Sequence, residues 1–323
     1  APEVEHGPLE VATAERRFDR RWRVWSFSFI KSEAERLAEA TAPVDLPEHS
    51  AGMDEPAADP DMSTVVEALG PLQDAPRGTT FGTLVHALFE RLDFTSDELE
   101  AELRDACAVA LQYRRLPITP DRLAAGLSEA IHAPLGGPLG ATRLRDLAKA
   151  DRLDELSFDL PLGAFSAATI AEVLLSHLPA DDPMRPWAEQ AATELDVDVQ
   201  GMLTGSIDLV ARAAVNGELG YWLADHKTNH LASGDYSIPA LADAMAHSGY
   251  VLQATIYSVA LHRYLRWRVE GYDPERHLLG TAYLFLRGMR PDNDVAAHDG
   301  VMWWRVPTPA LLELDALFAG GDA

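Results

Sequence analysis

Two strand-like runs, GMLTGSIDLVARA and ELGYWLADHKTN, meet at Asn216-Gly217, a dipeptide suited to a two-residue hairpin turn because both residues tolerate the left-handed conformation it needs. The hairpin decides which side chains share a face. Alternation along its second strand puts Asp225 and Lys227 on one side and His226 on the other. The run leading to them, Tyr221-Trp222-Leu223-Ala224, is apolar, so an acid and one of only three lysines stand at the end of a largely buried element. A buried charge is costly unless it is paired or bound to a metal. On this pair alone, an Asp–Lys salt bridge at a strand end is the plainer reading.

Asp208, within GSIDLV on the first strand, changes the balance. Folding the hairpin brings it beside Asp225 across the ladder, with Ile207 and Leu209 expected on the opposite side. Adjoining carboxylates repel, and a divalent cation between them resolves the conflict. Hard oxygen ligands suit magnesium or manganese better than zinc. Lys227 would then orient or help deprotonate an attacking water and stabilise charge on a phosphate oxygen, which is metal-assisted phosphodiester hydrolysis. Glu155, in an alternating run at 153–162, can add an acid, although a lone strand Glu is more often a surface residue. Gln253 and Tyr257 are four apart on one face of a helix expected at about 249–269. Tyr257 and Tyr264 are equally open to a plain core role.

Around the hairpin the pattern is mixed α/β. Residues 14–30 join an arginine cluster, read as a solvated face, to a β-rich run; a short helix follows from Lys31 with Ser32 as its cap. An amphipathic helix opens near Thr83, with Leu84, Leu88 and Leu92 on one side and His86 at an intermediate angle. Taken alone, that histidine reads as part of the core. Ser96 caps a second helix, and Thr119-Pro120 start a third that runs to about His132. LLGTAYLFLR and VMWWRV read as further strands, the first of them buried. Residues 41–62 carry four prolines and six acids with no Lys or Arg, and read as a mobile acidic loop.

Composition limits the partners. A formal net charge of −24 argues against a free-standing nucleic-acid binder, so if this chain touches DNA, something else holds the DNA there. The single cysteine, Cys107, excludes a disulfide framework and fits a reducing, cytoplasmic setting. No run approaches the ~20 apolar residues of a membrane-spanning helix, and the chain is read as soluble. The polar N-terminus has no apolar signal core and reads as a cut from a longer protein.

In chain order, G-T-L-V-H, G-x-I-D-L, D-x-K, Q-x-x-x-Y and YLFLRG, together with HRYLRWRVEGYDPERHLLG, resemble the PD-(D/E)XK nuclease superfamily. Within it, they are similar to the C-terminal nuclease domains of the RecB family of helicase–nuclease subunits, over residues 22–306. The D-x-K pair is weak by itself, whereas the ordered set is specific. The resemblance implies a restriction-endonuclease-like mixed central sheet flanked by helices, with an N-terminal helical layer that carries His86. It implies that residues 1–20 tether a nuclease domain at 21–323 to a preceding helicase region of the same parent chain.

By resemblance, His86, Asp208 and Asp225 bind the metal, with the backbone carbonyl of His226 as a further ligand, and Lys227 is the catalytic lysine. Glu155, with Phe158, matches the acidic motif before the hairpin; Gln253 and Tyr257 match the helical motif after it. His226 stands where a Tyr is common, and Ser157 where another acid occurs. The implied cofactor is Mg2+, with Mn2+ or Ca2+ able to substitute. The implied partners are single-stranded DNA, RecC- and RecD-like subunits and a RecA-type recombinase. The implied activity is degradation of strands fed by a helicase during double-strand-break repair, with the isolated domain expected to cut poorly. A catalytically silent module that loads a strand-exchange recombinase is the alternative, and a structural scaffold a third.

Overall fold

The structure, a computed structural model, describes residues 21–41, 70, 72–231 and 233–320. The expected tether at 1–20 and all of the expected acidic loop except Thr41 lie outside the described residues. The chain begins with β1 (Arg23–Trp25) and α1 (Phe27–Thr41). Three helices follow, α2 (Thr79–Arg91), α3 (Leu99–Tyr113) and α4 (Pro120–His132), and then a small ribbon of β2 (Pro134–Gly136) and β3 (Gly140–Arg143). Next come β4 (Arg152–Ser166), α5 (Ala168–His177), α6 (Arg185–Glu194), and the hairpin of β5 (Asp198–Val215) and β6 (Glu218–Lys227). The remainder is α7 (Ile238–Ser248), α8 (Tyr250–Arg268), α9 (Pro274–His277), β7 (Leu278–Phe285), β8 (Val301–Trp304) and α10 (Thr308–Phe318).

The expected hairpin forms, with Asn216 (φ 52°) and Gly217 (φ 83°) both in the left-handed region that its turn demands. Its strands belong to a six-stranded mixed sheet in the order β1-β5-β6-β7-β8, with β4 also on β5. Pairing is parallel for β1/β5 and β6/β7, and antiparallel for β4/β5, β5/β6 and β7/β8. Helices cover both faces. On one side α2, α3 and α4 pack against Leu209, Trp222, Ala224, Ala282 and Leu284. On the other, α1, α5 to α8 and α10 pack against Val210, Leu223, Tyr283 and Phe285. This is the sheet flanked by helices that the sequence led us to expect, with the helical layer in place.

The free edge of β5 creates the site. β1 pairs with β5 at Gly201 to Leu203, and β6 pairs with it only as far as Leu209↔Ala224. Beyond Ala224, β6 stays bonded to β7 through Asp225↔Tyr283 and Lys227↔Phe285. Residues 204–208 of β5 therefore face a gap. At this level the pleat slips: Ile207 packs into one core and Leu209 into the other, so the expectation that both lie on one side of Asp208 fails. Across from Asp208, Glu155 has φ 56° and drops out of the ladder between Asp154↔Leu209 and Leu156↔Ile207.

Several helix starts also differ from expectation. α1 begins at Phe27, because the Ser26 hydroxyl accepts the Phe29 N–H (3.2 Å); Ser32 lies inside the helix and donates to the Phe29 carbonyl. The β-rich run thus ends at Trp25. α2 begins at Thr79, before Thr83, whose hydroxyl bonds back to the Thr79 carbonyl (2.9 Å). Ser96 shapes the turn before α3 by accepting the Glu98 N–H, and α3 itself begins at Leu99. Thr119 does cap α4, accepting the Arg122 N–H. Among the described residues no helix is long and apolar enough to cross a membrane.

Candidate active site

Lys227 is buried at the end of β6, its Nζ 2.7 Å from Asp225 Oδ1. It donates to Gln253 Oε1 (3.2 Å), which also accepts from the Tyr283 hydroxyl (3.1 Å), while Gln253 Nε2 donates to the Tyr257 hydroxyl (3.3 Å). Gln253 and Tyr257 share a helical face, as their spacing requires, and that face meets the end of β6. Phe158 of β4 packs edge-on against Tyr257, with ring centroids 5.7 Å apart. Asp225, Lys227, Gln253 and Tyr257 are all buried.

Asp208 faces the gap beside β6. Its Oδ2 accepts the His226 N–H at 2.8 Å, and its Oδ1 lies 3.3 Å from His86 Nδ1. His86 Nε2 in turn donates to the His226 carbonyl at 2.8 Å. A doubly protonated imidazole satisfies both acceptors at once. Burial works against that charge, but the Asp208 carboxylate, by charge and hydrogen bond, and Asp225 outweigh it, raising His86 to about 9. Burial also pushes Asp208 upward, yet His86 and His226 hold it well below the usual carboxylate range. Asp225 goes the other way: burial, helped by the Asp208 charge, keeps it above that range despite Lys227. The His226 ring packs edge-on against Phe89 of α2, centroids 4.9 Å apart.

These groups line one cavity of about 370 Å3, closed by Ser26 and Ser28 after β1, Thr79 and Thr83 of α2, and Thr204 and Ser206 of β5. Glu155 is set apart from them. It is exposed and borders a smaller cavity of about 200 Å3, with Asp154 and Glu90, on the flank of the His86–Asp208 pair. His86, Asp208, Asp225, His226, Lys227, Gln253 and Tyr257 are therefore brought together, and Glu155 reaches only the adjoining space.

Two carboxylates, one imidazole and a backbone carbonyl make an oxygen-rich donor set suited to a hard divalent cation. Asp225 supports the fit, since its buried Oδ1 lies close to Lys227 but makes no aligned hydrogen bond. As the side chains stand, Asp208 is occupied by His86 and Asp225 by Lys227. Among the described residues no three His, Cys, Asp or Glu side chains already form a metal cage.

A family model for the PD-(D/E)XK nuclease superfamily matches residues 64–300. The chain belongs to the PD-(D/E)XK nuclease superfamily. Nucleases of this superfamily generally use divalent metal ions, in keeping with the donor set above. The chain is similar to the RecBCD enzyme subunit RecB of Mycobacterium tuberculosis H37Rv, 37% identical over 97% of this chain and 30% of that protein. It is 35% identical to the RecB subunit of Mycolicibacterium smegmatis over 97% of this chain and 31% of the relative. For that of Escherichia coli K12 the values are 32%, 98% and 25%. The chain thus spans a third or less of these relatives' length.

Sequence reasoning missed Tyr250 and Tyr283, whose rings flank Lys227. One signal was available for Tyr250, which precedes Gln253 by three residues and so shares its helical face. For Tyr283 there was none, because the parallel β6/β7 register places it.

Proposed function

We propose that this PD-(D/E)XK chain is a magnesium-dependent deoxyribonuclease that hydrolyses phosphodiester bonds, mainly of single strands handed to it by a RecBCD-type helicase in the cytoplasm. The observation that carries this reading is the buried Asp225–Lys227 pair at one wall of a cavity whose other wall holds Asp208 and His86. In this reading Asp208, Asp225, His86 and the His226 carbonyl hold the metal, which supplies Lewis acidity and an activated water. Lys227 presents a fixed positive charge to the phosphate, Gln253 keeps that ammonium in place, and Tyr257 orients Gln253. Glu155 borders the path beside the metal ligands. The similarity to RecB subunits supports a place in such an assembly, with RecC- and RecD-like subunits as neighbours and the motor supplying the DNA capture that a −24 chain lacks.

The test is cleavage of a labelled single-stranded oligonucleotide with Mg2+ by the chain within its assembled helicase–nuclease complex, comparing wild type with Asp208→Asn, Asp225→Asn and Lys227→Ala. Each variant should lose about two orders of magnitude or more of kcat. Equal cleavage by wild type and Asp225→Asn would refute the assignment.

A further inference from the structure

Lys227 has a second set of neighbours besides Asp225 and Gln253. Its Nζ lies 3.9 Å from the centroid of the Tyr250 ring and 5.5 Å from that of Tyr283. The two rings are stacked, centroids 5.5 Å apart and 19° from coplanar. Tyr250 is 1% exposed and Tyr283 fully buried. Each ring is pinned by its hydroxyl: Tyr283 donates to the Tyr250 carbonyl (2.8 Å) and to Gln253, and Tyr250 donates to Asn229 Oδ1 (3.2 Å). An aromatic face attracts a cation most strongly where water is excluded, as it is here. The stem of Lys227 is flexible, so a ring face beside its contacts with Asp225 and Gln253 narrows further where its ammonium can sit.

We propose that Tyr250, together with Tyr283, is a positioning residue whose ring face seats the Lys227 ammonium against Asp225 at the cavity wall. The rings touch no reacting atom; they act through Lys227. This inference rests on the nuclease reading above, and its tests separate the two.

Replacing Tyr250 by phenylalanine and then by increasingly fluorinated phenylalanines drains the ring face at nearly constant shape. Tyr250→Phe should retain most of kcat. The most fluorinated ring, and Tyr250→Leu, should lower kcat about ten- to thirtyfold with KM unchanged, the scale of a desolvated cation–π contact. A kcat that is flat across the fluorinated series overturns the proposal. A merely structural role for the ring would not produce that gradient.

Geometry can be read without activity. The sequence has three lysines, Lys31, Lys149 and Lys227, so lysine-labelled protein gives three side-chain signal sets. The ε protons of Lys227 should be shifted upfield by the rings, and the shift should shrink in Tyr250→Leu. An unshifted Lys227 overturns the seat whether or not the chain cuts DNA. Cleavage that survives Lys227→Ala refutes the nuclease role of the lysine, and the spectrum still decides the seat.

Discussion

Gly201 carries the short strand that leads into Ser26 and Ser28 at the cavity, and an alanine there should dislodge it. β1 pairs in parallel through Arg23↔Gly201, and Gly201 has φ 133°. A Cβ added at 201 would lie 2.0 Å from the Arg23 carbonyl oxygen and 2.7 Å from its nitrogen. Both are backbone atoms, so no rotamer change relieves the collision. The unfavourable φ costs about 1–3 kcal/mol. Displacing β1 also breaks the bond from Trp25 Nε1 to the Gln200 carbonyl (3.0 Å), roughly another 1 kcal/mol. A loss of about 2–4 kcal/mol is expected from these two causes. Gly217→Ala is the control, because it also sits at positive φ but nothing lies within 4 Å of its added Cβ, so it should cost less. Urea unfolding gives the stability, and amide hydrogen exchange at Val24 and Trp25 reports whether β1 has left. A Gly201→Ala protein with wild-type stability and protected β1 amides would show the reasoning to be wrong.

At Asp315 burial pushes the carboxyl up, but hydrogen bonds from Arg263 and Arg266 win and hold it below its ordinary value. A depressed folded-state pKa contributes stability above the unfolded value of about 3.9, lost as pH falls through the folded one. Asp315→Asn should therefore cost about 1–3 kcal/mol at pH 7, and urea midpoints should show the gap from wild type closing below about pH 4, whereas a pH-independent gap would count against the ion pairs. Burial pushes the Cys107 thiol up to about 12, so it should resist a thiol reagent at pH 8 until the protein unfolds; prompt labelling of native protein would contradict its sealed position in α3.

The Asp225–Lys227 end of the hairpin was readable because strand parity and a polar pair in an apolar run leave few alternatives for it. Asp208 was readable for the same reason, through the turn at Asn216-Gly217. Local signals misplaced the start of α1: WSFSFI alternates like a strand, yet Phe27 and Ile30 lie three apart and bury one helical face, which only the core behind them decides. The slip at Asp208 and the left-handed Glu155 arise from the meeting of two strands, and neither strand's own pattern records it. The helices α5, α6 and α7 went unread, although Pro186 and the run Ser237-Ile238-Pro239 offered start signals for the latter two. The contact of His226 with Phe89 depends on how α2 docks, which no spacing in the chain reveals.

The proposed chemistry requires one hard cation shared by Asp208, Asp225 and His86. Crystals grown with Mn2+ and measured at its absorption edge locate that ion directly. An anomalous peak is expected within bonding distance of all three side chains and of the His226 carbonyl, absent from Asp225→Asn crystals. A well-ordered wild-type cavity without the peak, or the ion bound elsewhere on the chain, would contradict it.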